Sequence, residues 1–322
     1  MPMIVSKGAA SAQGFGFGAK AAGGPGTFGI FALGVAGCCG VTSYTKTRNK
    51  YTFATDTAVL ATSSTSFGFG QSAAGNCAKG IFALGCNICG PTNKREKYIY
   101  ACATSPSAQN SSTVGYSGAA AGNATIGIFA LGTDASYTPT TTRNKYTYSS
   151  DTSCSAMASS IKSSGAVAAG NSTRGIFAIG YSSCAPAGIK STRNKYLYAC
   201  NTSGSATSAT TANRFGAAAG NATVGIFALG LTPCPSTTRN KYTYACDASP
   251  TATSASSASA QGFATGNSTR GIFALGNNVS GLPIKTTNKY TYACDTSVSG
   301  GNLTTSPYGG AATSNGITGV NI

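Results

Sequence analysis

One hexapeptide, written six times, narrows what this chain can fold into more than any other feature. Gly-Ile-Phe-Ala-Leu-Gly begins at Gly29, Gly80, Gly127, Gly225 and Gly271, and Gly-Ile-Phe-Ala-Ile-Gly at Gly175, with spacings of 51, 47, 48, 50 and 46 residues. A second block follows each copy after a loop of variable length. It reads RNKYTFATDT from Arg48, REKYIYACAT from Arg95, RNKYTYSSDT from Arg143, RNKYLYACNT from Arg193, RNKYTYACDA from Arg239 and TNKYTYACDT from Thr287. Self-similarity at this period marks a propeller or a solenoid, in which one repeat cannot bury its apolar face alone.

Both blocks alternate as strands do. Phe31 and Leu33 oppose Ile30 and Ala32, and Tyr51 and Phe53 oppose Lys50, Thr52 and Ala54. Each sheet therefore gains a bulky face and a small face, and bulky against small lets identical sheets nest in one direction around a ring. A third strand precedes the first block, as in Ala119 to Gly127 and Ala217 to Gly225, with Gly-Asn supplying a tight turn. The Ser-, Ala- and Thr-rich stretch after the second block, such as Thr152 to Lys162, has room for a fourth, edge strand.

The pattern thus predicts an all-β, six-bladed propeller forming a single domain over 1–322, with repeats around 29–76, 80–123, 127–171, 175–221, 225–267 and 271–322. A solenoid would need distinct caps, whereas the ends here look like pieces of a blade. Residues 10–18, ASAQGFGFG, echo SFGFGQSA from Ser66 and AQGFATGN from Ala260. Residues 1–28 are therefore expected to supply the strand that completes the last repeat and closes the ring.

Gly-Ile-Phe-Ala-Leu-Gly, followed by a loop and Asn-Lys-Tyr-Thr-Tyr-Ala-x-Asp, resembles the kelch repeat, in which an apolar strand ending at Gly precedes a strand ending in Tyr-Asp. It departs from that family in having one Gly for a Gly pair and no Trp in the chain. The resemblance implies a kelch-like architecture and carries over no partners. SKGAASAQGFGFG at the N-terminus, with GIFALG and TTRNKYTYA, is also similar to structural and tail-associated proteins of tailed phages. That likeness implies a virion location, in a tail or surface appendage, with an extracellular site as the alternative.

The chain has no His, which removes Ser-His-Asp and Cys-His catalysis and His metal sites. Of six carboxylates, Asp56, Asp151, Asp247 and Asp295 hold one repeated place that Ala103 and Asn201 fill in the other copies. A position that accepts Ala is a turn cap or a partner for nearby cations, not an acid catalyst. A non-enzymatic protein without metal or cofactor is expected. Among the 12 cysteines, Cys102, Cys200, Cys246 and Cys294 follow Tyr-Ala and are expected as small buried hydrophobes. Cys38, Cys39, Cys86, Cys89, Cys184 and Cys234 lie in loops and suit disulfides in an oxidising setting, and Cys86-x-x-Cys89 alone is a weak metal signal.

The formal charge is +16, and its basic residues recur in register. Lys50, Lys97, Lys145, Lys195, Lys241 and Lys289 are equivalent, and Arg48, Arg95, Arg143, Arg193 and Arg239 precede them by two positions. A propeller arranges them as rings, which are the candidate binding residues for an acidic partner, a host-surface glycan or lipopolysaccharide. The competing structural role is that each Lys lays its stem on a small-residue face and pairs with the strand-end Asp. No basic run is long enough to suggest nucleic acid, and no stretch of 18 apolar residues suggests a membrane span. No secretory leader is read at the N-terminus, so Asn-x-Thr at Asn123, Asn171, Asn221 and Asn267 is taken as turn chemistry. The function expected is a virion structural or adhesion protein, such as a tail fibre, tail tip or decoration component, contacting other virion proteins. The alternative is a multivalent lectin, and a kelch-like hydrolase or oxidase is disfavoured.

Overall fold

The computed structural model describes residues 26–316, apart from 33, 37–42, 84, 88–89, 131, 183–187, 229 and 233. Six four-stranded antiparallel sheets form the blades of a β-propeller. From the inner strand outward, blade 2 is Ser72–Gly75, Lys79–Ala83, Arg95–Ile99 and Ser107–Ala108, and blade 3 is Ala119–Gly122, Ile126–Ala130, Arg143–Thr147 and Thr152–Ala156. Blade 4 is Val167–Gly170, Arg174–Ala178, Arg193–Leu197 and Thr202–Ala206; blade 5 is Ala217–Gly220, Val224–Ala228, Arg239–Thr243 and Thr251–Ala252. Blade 6 is Phe263–Gly266, Arg270–Ala274, Thr287–Thr291 and Thr296–Ser299. No helix among the described residues is long and apolar enough to cross a membrane.

Blade 1 shows how the ring closes. Its outer three strands are Phe28–Ala32, Arg48–Thr52 and Thr57–Ala61, and its inner strand is Ala311–Ser314, paired with Phe28–Ala32 in the register Gly29 to Ser314 through Ala32 to Ala311. Closure therefore comes from the C-terminal end, which corrects the expectation of an N-terminal closing strand. Blade 6 already owns four strands, and the proposed segment 10–18 lies outside the described residues. Asn315 makes the splice. Its Oδ1 accepts from the amides of Thr27 and Phe28, as Asn267 Oδ1 accepts from those of Thr269 and Arg270 within the unbroken hairpin of blade 6.

The nesting of bulky on small faces is the packing between blades. Phe177, Tyr196 and Tyr198 of blade 4 lie against Ala119, Ala121, Ile128 and Ala130 of blade 3, and the same set recurs at the other interfaces. Each fully buried aromatic or Ile side chain contributes about 1.5–3 kcal/mol, so apolar burial is the main favourable term at every interface. The first Gly of the hexapeptide makes this approach close enough. A Cβ on Gly175 would stand 3.0 Å from Cβ of Ala121, and on Gly271 2.7 Å from Cβ of Ala219.

The Asn-x-Thr turns join the blades at one end. Asn123, Asn171, Asn221 and Asn267 each accept from two amides and a Thr hydroxyl of their own turn. Their Nδ2 groups donate to the carbonyls of Ser172, Ala222, Ser268 and Gly26 in the following blade's turn. Asn76 does the same toward Ala124.

Candidate functional site

The two ends of the propeller are built differently. One end carries the tight turns between inner and second strands of blades 2 to 6, the Asn315 splice that stands in for that turn in blade 1, and the turns between third and outer strands. The other carries the variable loops after each hexapeptide and the connections to the next inner strand. These two sets meet in bridges such as Phe69 with Gly85, Ser164 with Gly180 and Arg214 with Gly230.

At the centre of that loop face, two residues before each inner strand, stands a residue with positive φ: Gly70, Ser117, Gly165, Phe215, Gln261 and Gly309, at 53–62°. Their amides form a closed circuit. Ser117 donates to the carbonyl of Gly70, Gly165 to Ser117, Phe215 to Gly165, Gln261 to Phe215, Gly309 to Gln261 and Gly70 to Gly309, at 2.7–3.0 Å. The left-handed conformation turns each amide toward the preceding blade, at a cost of roughly 1–2 kcal/mol for each of Ser117, Phe215 and Gln261. Below the circuit the alanine-rich inner strands leave an axial cavity of about 80 Å³. Above it a depression of about 180 Å³ is lined by Phe69, Gln71, Tyr116, Phe215 and Gln261 with the ring glycines. Edge-to-face pairs surround it: Phe69 with Tyr308, Tyr116 with Tyr137, and Tyr181 with Phe215, at 5.5–6.0 Å.

The repeated basic residues are elsewhere. Arg48, Arg95, Arg143, Arg193 and Arg239 are 0–2% exposed and lie between blades. Each guanidinium sits 4.4–4.7 Å from the ring centroid of the next blade's hexapeptide Phe, for example Arg193 on Phe227, and donates to a serine of that blade. Only Arg48 meets a carboxylate, Glu96 at 3.1 Å. Burial pushes Arg95, Arg143, Arg193 and Arg239 down to about 10 from their ordinary 12.5, so they stay charged at neutral pH. Burial alone would raise the Glu96 carboxyl, but bonds from Thr65 and Ser64 and the charge of Arg48 outweigh it and leave it below its ordinary value. These arginines form a ring buried between the blades, and Arg95 borders a cavity of about 420 Å³ lined also by Lys94, Glu96 and Asp151.

The lysines reach across to the next blade. Lys97 pairs with Asp151, Lys195 with Asp247 at 3.1 Å, Lys241 with Asp295 at 2.9 Å and Lys289 with Asp56. The partner is the neighbouring blade's Asp, not the one ending the same strand. Lys50, whose next blade offers Ala103, lies over Phe28 at 4.4 Å, and Lys145 faces a blade with Asn201 at that place. Asp295 also accepts from Thr253 N and Tyr290 Oη. Burial raises its carboxyl, but these bonds and Lys241 outweigh that and hold it at about 2. A carboxyl depressed in the folded state stabilises above its unfolded value, and that contribution is lost as pH falls toward the folded value. The melting temperature should therefore fall between about pH 5 and about pH 2, and Asp295→Asn should fall less steeply over that window while starting lower; parallel curves would show that the pair is not coupled to folding.

Cys102, Cys200, Cys246 and Cys294 are exposed, which corrects their expected burial. The strand's alternation ends at the preceding Tyr, and the thiols sit in hairpin turns before a positive-φ residue, Ala103, Asn201, Asp247 or Asp295. Of the loop cysteines, Cys86 is a buried free thiol and Cys234 an exposed one, and Cys38, Cys39, Cys89 and Cys184 lie outside the described residues. No group of three metal-ligating side chains occurs among the described residues.

Sequence reasoning missed the cations of the loop face because they do not recur in every repeat: Lys46 and Lys285 share one repeat position, while Lys94, Lys162, Lys190 and Arg214 stand each at its own place in the loops. No family model matches the chain, and no curated protein does. Among 221 solved chains that match is YjhT, with a TM-score of 0.59 and 10% identity over 76% of this chain and 87% of that one. At that identity the likeness is one of fold, the six-bladed β-propeller.

Proposed function

We propose that this protein is a non-catalytic binding scaffold of a tailed-phage particle, a tail fibre, tail tip or decoration component that contacts other virion proteins and uses its loop face to engage the host surface. The observation that carries this reading is the division of labour between the two ends. One is locked by repeated turns, Asn clasps and interblade ion pairs, while the other presents loops of differing length and composition around an aromatic-lined depression. Rigid strands with variable loops suit a scaffold for contacts. The carboxylates that a hydrolase would need are engaged structurally: Glu96 with Arg48, four Asp with lysines, and Asp134 with the amides of Ser136 and Thr138.

A multivalent lectin is the second reading, favoured by Phe69, Tyr116 and Phe215 around the depression, since aromatic faces pack against sugar rings. Proteomics of density-purified particles tests the first reading. The chain should comigrate with infectious particles and be accessible there to antibodies against its loops; its absence from particles would overturn the proposal.

A further inference from the structure

We infer that the loop face is an anion-binding surface for an acidic polysaccharide, held by Lys46, Lys94, Lys162, Lys190, Arg214 and Lys285. This deepens the binding-scaffold reading and rests on it. The basic residues among those described divide into two populations. The repeated arginines are buried between blades, Lys97, Lys195, Lys241 and Lys289 pair with the next blade's Asp, Lys50 lies over Phe28, and Lys79, Arg174 and Arg270, on the turn face, donate to the carbonyls of Tyr148, Tyr244 and Phe53 in the next blade. The six loop cations have no carboxylate within ion-pair distance among the described residues. Asp134, in a loop of that face, turns its Oδ1 to the amides of its own loop, and Lys94 borders a cavity that Glu96 and Asp151 also line. An uncompensated cationic face attracts anions over about a Debye length.

Arg214 gives the surface a built anchor. It is half-buried beside the depression, its guanidinium 5.3 Å from the ring of Phe215 and 5.7 Å from that of Tyr181. Its Nε is buried without a hydrogen-bond partner. A cation held against two aromatic rings beside a depression suits a sugar ring that bears a carboxylate or another anionic substituent: the ring packs on the aromatics and the anion meets the guanidinium. The distribution favours a glycan over nucleic acid. A duplex presents a line of phosphates, which needs only cations, whereas here a cation stands beside aromatic rings that suit the packing of a sugar ring.

The test measures binding of the full chain to immobilised polygalacturonate, neutral dextran and duplex DNA. Polygalacturonate should bind, dextran should not, and affinity should drop about tenfold or more as salt rises from about 50 to about 200 mM. Replacing Lys46, Lys94, Lys162 and Lys285 together by Gln should weaken binding about tenfold with the melting temperature unchanged, and Arg214→Ala should weaken it separately. Lys145→Gln, on the other side of the architecture, should leave it unchanged. Equal binding of dextran, tighter binding of DNA, or an unaffected quadruple variant would overturn the inference. Those outcomes leave the particle assignment standing, and absence from particles would sink that assignment without touching this measurement.

Discussion

Gly180→Ala lowers the unfolding free energy by about 3 kcal/mol or more and shifts the urea midpoint accordingly. Two costs add at this position. Gly180 has φ of 75°, where an L side chain is strained by roughly 1–2 kcal/mol, and its new Cβ would stand on the carbonyl oxygen of Ser164, well inside van der Waals contact. That carbonyl belongs to the connection carrying Gly165, so relief of the clash must displace a link of the amide circuit. The other hexapeptides end in the same situation: Gly34, Gly85, Gly132, Gly230 and Gly276 all have positive φ and meet a carbonyl of the mouth. Two controls separate the costs. Gly281 has φ of 72° with nothing within 4 Å of a Cβ, so Gly281→Ala loses only the conformational part, about 1 kcal/mol. Gly204 lies in an outer strand with open space and no positive φ, and Gly204→Ala is expected to be neutral or slightly stabilising.

Arg193→Thr destabilises by about 3 kcal/mol, and most of that loss is regained when Ala206→Gly and Ala209→Leu are added. The design copies the interface between blades 6 and 1. There Thr287 stands in the arginine position, Gly300 replaces Ala206, and Leu303 replaces Ala209, whose amide is held by Ser191 just as Leu303's is held by Lys285. Leu303 is buried in one cluster with Phe31 and Tyr51, so an apolar side chain fills the space that a guanidinium occupies elsewhere. Removing Arg193 alone leaves a cavity over Phe227 and strips Ser249 and Asn240 of their donor. The buried charge itself is costly: a fall from 12.5 to about 10 is about 3 kcal/mol against the charged form. An apolar substitute of the right shape is therefore expected to serve nearly as well. Denaturant unfolding of the single and triple variants checks this; a triple variant no more stable than Arg193→Thr would show that the arginine does something the sixth interface does not.

The blades were legible because their signal is periodic. Phe31, Tyr51 and Phe53 on one face, with Ile30 and Ala32 on the other, recur in register, and that recurrence determines both strand direction and nesting. The closing strand was obscured by its wording. Ala311-Ala312-Thr313-Ser314-Asn315 keeps the small residues and the capping Asn of Phe263-Ala264-Thr265-Gly266-Asn267 but substitutes Ser314 for Gly266, while the N-terminal Gly-Phe-Gly-Phe-Gly offers a louder echo. The arginines misled because charge is ordinarily a surface property, and nothing local in Arg-Asn-Lys-Tyr tells that a phenylalanine of the next blade will cover the guanidinium. Equally, the cysteines after Tyr-Ala read as strand residues because the turn's positive-φ position is filled by Ala, Asn or Asp, not Gly. Lys94, Lys162 and Arg214 carried no motif at all; topology alone brings them to one face.

A closed ring makes one prediction that an open one cannot. The amides of Gly70, Ser117, Gly165, Phe215, Gln261 and Gly309 each bond to the neighbouring blade, so native-state hydrogen exchange should protect all six alike, opening only with global unfolding. Rapid exchange at Gly309 and Gly70 beside slow exchange at the other four would mean that the C-terminal strand does not join blade 1, and would contradict the closed propeller.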